Sequence, residues 1–302
     1  MRLTARILLV LVATSILFMG LVVAQELVEF DSESSSIRVM TFNIRYNNPN
    51  DGEHAWPNRK ERVASVVRFH AVDLLGVQEA LRGQIENLQQ SLPEFSWIGV
   101  GRDDGKDAGE FAPIFYRKDR FELVDNGTFW LSETPELIAS KSWDAALTRI
   151  ATWTKLIDRE TGAGIFFLNT HFDHRGEQAR TESARLIIEQ IEHLADANQV
   201  IVTGDFNVPP GADAYSTMTG FLTDSRLSSL TPPHGPEGTF GGFAVGSTDN
   251  ADRIDYIFVD PSIQVYRHGN LSDQWDGDYP SDHLPVLSEI QLVRSGDKLR
   301  HE

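Results

Sequence analysis

At 302 residues, 41% apolar and 10% aromatic, the chain has enough apolar content for a sizeable buried core, which excludes disorder over most of its length. A formal charge of −17 repels polyanions, which argues against tight duplex nucleic acid binding and leaves phosphate-ester chemistry to places where a divalent cation supplies positive charge. With no cysteine there is no disulfide, and any metal site falls to carboxylate, amide and imidazole ligands.

The N-terminus carries Arg2 and Arg6, then an uncharged run from Ile7 to Ala24, with Val22 and Ala24 at the spacing a signal peptidase favours. Residues 1–24 read as a secretory signal peptide, with an uncleaved anchor as the alternative. Cleavage implies a secreted or periplasmic protein without stable membrane insertion. Residues 25–36 are acidic and serine-rich, as in a linker; 37–292 form one α/β domain, and 293–302 a tail.

In chain order, IRVMTFN (37–43) predicts a buried strand and Arg59 to His70 a helix with Val63, Val66 and Val67 on one face. LLGVQEA (74–80) predicts the next strand, and Leu81 to Leu92 a helix stopped by Pro93. Phe111 to Leu131 divides into three β-like pieces, APIFYR, RFELV and GTFWL. Ile150–Ile157 and Ile165–His171 predict paired strands around the Glu160-Thr161-Gly162 turn, and Gly176 to Ala197 a long amphipathic helix. Val200–Asp205, Asp255–Asp260 and Leu284–Leu292 predict further strands, with loops and one short helix near Tyr215 between Pro209 and Ala251.

These apolar strands are bounded by polar residues. Asn43, Glu79, Asn169 and His171, and Asp205 and Asn207 close strands; Asp255 opens one, and SDH (281–283) precedes the last. Ligands in open α/β sheets gather at strand ends, so these groups converge on one pocket if the ends coincide. Taken singly, an Asn or Asp there is turn chemistry and His171 a packing residue. Glu79 resists that account, because burying a carboxylate behind LLGV costs several kcal/mol without compensation. Asp205 and Asn207 are two apart, so both point the same way if strand geometry persists.

The residue types suit hydrolysis of a phosphate ester. Mg²⁺ takes hard oxygens and few carboxylates, which Glu79 with Asn43 supplies. Asp205 or an imidazole can activate water, while Asn207 and His171 can donate to phosphoryl oxygens. Asp255 can fix the tautomer of His283.

The ordered set TFN, QE, NTH, GDFN, RIDYIF and SDH resembles the endonuclease/exonuclease/phosphatase superfamily, the deoxyribonuclease I-like fold, in its secreted bacterial members, over Ile37 to Leu292. The resemblance implies a four-layer α/β sandwich, two face-to-face β-sheets flanked by helices, and Mg²⁺- or Mn²⁺-dependent cleavage of a phosphate ester. It implies Glu79 as the main metal ligand with Asn43 in support and Asp282 at the metal or its water. It also implies Asp205 on the attacking water, Asn207 and His171 on the phosphate, and Asp255 paired with His283, with the base open between Asp205 and His283. Arg149, His174 and Arg175 are candidate substrate contacts, against surface pairing or loop chemistry. The favoured activity is a nuclease or nucleotide phosphodiesterase acting on single-stranded nucleic acid or nucleotides. The alternatives are a phospholipid, inositol-phosphate or sugar-phosphate hydrolase, or a catalytically dead phosphate-ligand binding module.

Overall fold

Strand β1 (Ile37–Asn43) follows the period of two that extended chain imposes: Ile37, Val39, Thr41 and Asn43 share one face, Met40 and Phe42 the other. The computed structural model describes residues 36–246 and 252–292. The signal peptide reading, the linker up to residue 35 and the tail at 293–302 lie outside the described residues.

The remaining strands are β2 (Leu74–Gln78), β3 (Phe95–Ile98), β4 (Ile114–Arg117), β5 (Phe121–Trp130), β6 (Ile150–Asp158), β7 (Gly164–His171), β8 (Gln199–Asp205), β9 (Thr223–Asp224), β10 (Asp255–Val259), β11 (Gln264–Asn270) and β12 (Val286–Gln291). The α-helices are α1 (Trp56–Phe69), α2 (Arg82–Ser91), α3 (Glu177–Leu194) and α4 (Asp213–Thr219). Two six-stranded sheets result, ordered β11-β12-β1-β2-β4-β3 and β5-β6-β7-β8-β10-β9. Each has one parallel pair at its heart, β1 with β2 and β7 with β8, joined through α1 and α3 respectively, since parallel neighbours need a long crossover.

The apolar residues sort into layers. Ile37, Val39, Leu74, Ile165, Phe167, Ile201, Ile257 and Ile290 form the core shared by the two sheets. Met40, Phe42, Leu75 and Val77 pack outward on Val63, Val67, Ile85 and Leu88 of α1 and α2. Phe166, Leu168, Val202 and Phe258 pack outward on Ile187 and Ile191 of α3 and Met218 of α4. The four-layer expectation holds because the strands bury both faces, one on a sheet and one on helices.

Within the inter-sheet rows, apolar character gives way to polar towards one end. The sequence runs Val39, Thr41, Asn43 on β1; Leu74, Gly76, Gln78 on β2; Phe167, Asn169, His171 on β7; Ile201, Thr203, Asp205 on β8. Asn169 is a staple rather than a ligand: its Oδ1 accepts from Gln78 Nε2 at 2.6 Å and Thr203 Oγ1 at 3.1 Å, and its Nδ2 donates to Val77 O and Pro113 O at 2.7 and 3.0 Å. Gly76 makes this approach feasible, since a Cβ there would sit 2.2 Å from Thr203 Oγ1 and 2.5 Å from Asn169 Oδ1. Gly76→Ala therefore destabilises the protein by about 1–3 kcal/mol through overpacking. An unchanged urea midpoint would mean that the sheets spread freely at this point.

Two departures from the sequence reading have local causes. RFELV and GTFWL are one strand, β5, with a bulge at Val124, where the register shifts between Leu123 and Asp125; the Asp125-Asn126-Gly127 stretch that resembles a turn stays paired with Lys155, Thr154 and Trp153 of β6, and Gly127 makes room for the Trp153 ring. β3, β9 and β11 are additional; β9 is only two residues long, and β11 (QVYRHGN) has too few apolar residues to show alternation.

Candidate active site

Main-chain register sets the centre of the site. On three neighbouring strands, His171 pairs with Asp205 and Asp205 with Asp255, so their side chains form one row between the sheets. Opposite them, Asn43 ends β1, and its Nδ2 donates to Asp205 Oδ2 at 2.9 Å and Glu79 Oε1 at 3.2 Å. His283 Nδ1 lies 2.9 Å from Asp255 Oδ2, and its Nε2 faces Asp205 Oδ2 at 3.8 Å. His171 Nε2 approaches the same Asp205 oxygen at 3.4 Å. The structure thus gathers Asn43, Glu79, His171, Asp205, Asp255 and His283 around one carboxylate.

The chain leaves these strands through left-handed residues. Arg45 (φ 56°) lies just beyond β1, Glu79 (φ 62°) just beyond β2 and Asn207 (φ 51°) just beyond β8. Conformations of this kind cost of order 1–3 kcal/mol each and collect where function requires them. They also correct the expectation for Asn207. The strand ends at Asp205, so the period of two is lost: Asn207 N donates to Asp205 Oδ1 at 3.0 Å, and its Nδ2 donates to Phe172 O at 3.1 Å.

Crowding of charge tunes the groups. Burial and the nearby Asp255 carboxylate push Asp205 up to about 7. For His283 burial opposes the charge, but Asp255 and Asp205 outweigh it and push the imidazole up to about 10. His171 is held well below the usual range by burial and by Arg149 and Arg102. One imidazole is therefore charged at neutral pH and the other neutral.

Behind His171 lie residues that sequence reasoning missed. Glu110 accepts from Arg102 Nη1 at 2.7 Å, and its Oε2 lies 3.9 Å from Arg149 Nη1 and 4.0 Å from His171 Nδ1. Arg149 Nη1 and His171 Nδ1 have no direct hydrogen-bond partner and face a cavity of about 10 Å³, room for one bridging water. The signal was a buried-type acid in GEFAPIFYR ahead of an apolar strand, masked by the Gly- and Asp-rich stretch before it. Arg149 is 5% exposed and pairs with Asp173 and His174 rather than with a surface acid. His174 and Arg175 are exposed, and Arg175 is tied to Asp173 through its main-chain N–H.

On the other flank Asp282 Oδ1 lies 3.3 Å from Ser281 Oγ, and Asp282 stands 3.9 Å from Arg45 Nε, which also pairs with Asp51 at 3.1 Å. Glu79 Oε2 accepts from Tyr46 N at 3.1 Å. A surface cavity of about 510 Å³ between Phe69, His234, Arg267 and Leu287 contains none of these residues.

The model of the Endonuclease/Exonuclease/phosphatase family matches residues 40–283, from β1 through the SDH histidine. The chain belongs to this family. An endonuclease/exonuclease/phosphatase from Bacteroides vulgatus is 43% identical, with 86% of this chain and all (100%) of that one covered and a TM-score of 0.83. The mannosyl-6-phosphatase of Bacteroides thetaiotaomicron is 39% identical over 85% of this chain and 100% of that chain, with a TM-score of 0.82. TDP2 of D. rerio, complexed with single strand DNA product, shares the fold at 15% identity over 85% of this chain and 100% of that chain, with a TM-score of 0.66. Among curated proteins the chain spans 34% of a protein of Acanthamoeba polyphaga mimivirus and 47% of nocturnin of Drosophila melanogaster, at 24% and 22% identity over 64% and 86% of this chain.

The residues suit the divalent cation typical of this family. Glu79, Asp282 and the Asn43 carboxamide are hard oxygen donors, and burial together with the field of Glu79 holds the Asp282 carboxyl up. Asp205, Asp255 and His283 also place donor atoms within 4.8 Å of one another. There, however, His283 is hydrogen-bonded to Asp255, which makes those two an acid–imidazole pair and leaves the Glu79 and Asp282 side as the better cation pocket.

Proposed function

We propose that the protein is a Mg²⁺- or Mn²⁺-dependent phosphoesterase that hydrolyses a small sugar phosphate. The observation that carries the substrate class is the 39% identity to a mannosyl-6-phosphatase over that chain's full 100%. This moves the weight from the nuclease that the sequence reading favours to its sugar-phosphate alternative. The likeness to the DNA-bound structure is one of fold, and a net charge of −17 opposes a polyanionic substrate.

In this reading Asp205 accepts the proton of the attacking water, because His283 already carries one at neutral pH. The new bond forms from water oxygen to phosphorus as the bond to the sugar oxygen breaks, and the departing oxygen takes the electron pair. His283, held by Asp255, and neutral His171 donate to the phosphoryl oxygens, where charge accumulates. Glu79, Asp282 and Asn43 would hold the cation, which supplies positive charge to the phosphoryl and leaving oxygens. The buried carboxylates, together with the Asp255–His283 bond, favour an enzyme over a binding module. The leader-like residues 1–24 support secretion or a periplasmic location.

A metal-supplemented assay of mannose 6-phosphate, glucose 6-phosphate, nucleoside monophosphates, bis(p-nitrophenyl) phosphate and single-stranded DNA tests this. Expected is kcat/KM at least roughly tenfold higher for a sugar phosphate than for either diester, lost in EDTA and restored by Mg²⁺. Cleavage of DNA without phosphate release from any sugar phosphate would reverse the choice.

A further inference from the structure

Arg59, on α1, is buried at 2% exposure directly behind the acid cluster. Its guanidinium donates to main-chain carbonyls throughout: Nε to His54 O at 2.8 Å, Nη1 to Ile44 O and to Pro280 O at 3.3 Å, and Nη2 to Arg45 O at 2.7 Å. The rings of Trp56 and Phe243 flank it, with centroids 5.1 and 5.5 Å from Cζ. None of these acceptors carries a formal charge, and hiding a cation among neutral carbonyls is costly. Burial pulls the group down to about 10. Packing alone would be served as well by an apolar side chain.

The identity of the carbonyls supplies a reason. Ile44 and Arg45 follow Asn43 where the chain turns out of β1 through a left-handed residue. Pro280 precedes Ser281, Asp282 and His283. One planar fork thus joins the segment leaving β1 to the segment that delivers Asp282, 221 residues away in sequence from Arg59's own position. Ser281 Oγ, donating to Asn43 O at 2.7 Å, is a second tie between the same segments. Glu79 enters through Tyr46 N, the residue after Arg45. The segments that carry Asn43 and Asp282 therefore meet at Arg59, and Glu79 joins them through Tyr46 N, one residue beyond the Arg45 carbonyl.

We propose that Arg59 is a positioning residue for the cation pocket, presetting the oxygen donors of Asn43, Glu79 and Asp282 through the carbonyls of Ile44, Arg45 and Pro280. This rests on the reading that Glu79 and Asp282 hold a divalent cation. The guanidinium matters for its shape: its rigid fork reaches several carbonyls at fixed angles, whereas a lysine ammonium is a point charge on a flexible stem. Substitution consequently acts on the geometry of the cation pocket, while the Asp255–His283 hydrogen bond is made without Arg59.

The test is calorimetric titration of Mn²⁺ into metal-free wild type, Arg59→Lys and Arg59→Met, with melting temperatures and kcat measured across Mn²⁺ concentration. Arg59→Lys is expected to bind Mn²⁺ about tenfold more weakly and Arg59→Met up to roughly 100-fold, as when partners that orient metal ligands are lost. The Mn²⁺-induced rise in melting temperature shrinks in the same order. At saturating Mn²⁺, kcat of Arg59→Lys returns to within about threefold of wild type, the split between binding and chemistry that positioning requires. If Arg59→Met does not fold, Arg59→Lys carries the test. Wild-type affinity in Arg59→Lys, or a kcat deficit that saturating Mn²⁺ does not repair, overturns the proposal. Failure of the wild type to bind Mn²⁺ overturns instead the assignment of Glu79 and Asp282.

Discussion

Asp205→Asn is expected to lower kcat by about 10²- to 10⁴-fold at saturating Mg²⁺, the range for loss of a positioned base. Asp205 is where the site's bonds meet: it accepts from Asn43 and Asn207 and faces both imidazoles. Asparagine keeps the shape and removes the proton acceptor. A second signature appears in stability without metal. Burial and Asp255 raise the Asp205 carboxyl to about 7 from an ordinary 3.8, so the folded protein holds this proton to higher pH than the unfolded chain. Its contribution to stability is complete below pH 3.8 and is lost as pH rises through about 7. Metal-free wild type therefore loses stability across that window, and Asp205→Asn does not. A variant that keeps more than a tenth of wild-type kcat would remove Asp205 from the role of base.

Much of this site was legible because a strand's period of two is rigid. With IRVMTFN and VIVTGD as strands, Asn43 and Asp205 share faces with Val39 and Ile201, and the inter-sheet core carries them inward. Where regularity stops, legibility stops as well. Asn207 lies past the end of β8 in a left-handed conformation that side-chain spacing does not reveal. Glu110 and Arg102 flank a loop whose composition reads as solvated turn, and their burial follows only from packing against Arg149 and His171. Arg59 sat within the predicted helix, and an arginine on a helix is ordinarily solvated. Its inward orientation depends on carbonyls contributed by residues 44, 45, 54 and 280, a convergence that exists only after folding.

The Asp255–His283 pair makes the last strong prediction, because both a rate and its pH dependence follow from one hydrogen bond. If His283 must be protonated to donate to the phosphate, kcat falls as pH rises through the pKa of the imidazole. Asp255 and Asp205 push that pKa up to about 10 in the metal-free protein, against the effect of burial. Asp255→Asn removes the carboxylate 2.9 Å from Nδ1, so burial prevails and the imidazole loses its proton at lower pH. At pH 8 the variant is expected to lose about 10²- to 10³-fold in kcat, comparable to disabling a positioned acid. The ratio of variant to wild-type kcat should then recover as pH falls from 8 to 6. Asp255→Asn also relieves the repulsion that raises the Asp205 carboxyl, so the acid limb of the variant moves to lower pH and adds to this recovery. The same bond stabilises the fold: a raised histidine pKa contributes stability that is complete below the ordinary 6.5 and lost as pH rises through about 10. Asp255→Asn should thus lower the urea midpoint at pH 7 and converge on wild type above pH 10. His283→Ala loses the donor altogether and shows no recovery at low pH, which separates loss of the group from loss of its proton. A ratio for Asp255→Asn that stays flat with pH would mean that Asp255 holds His283 in place without setting its charge.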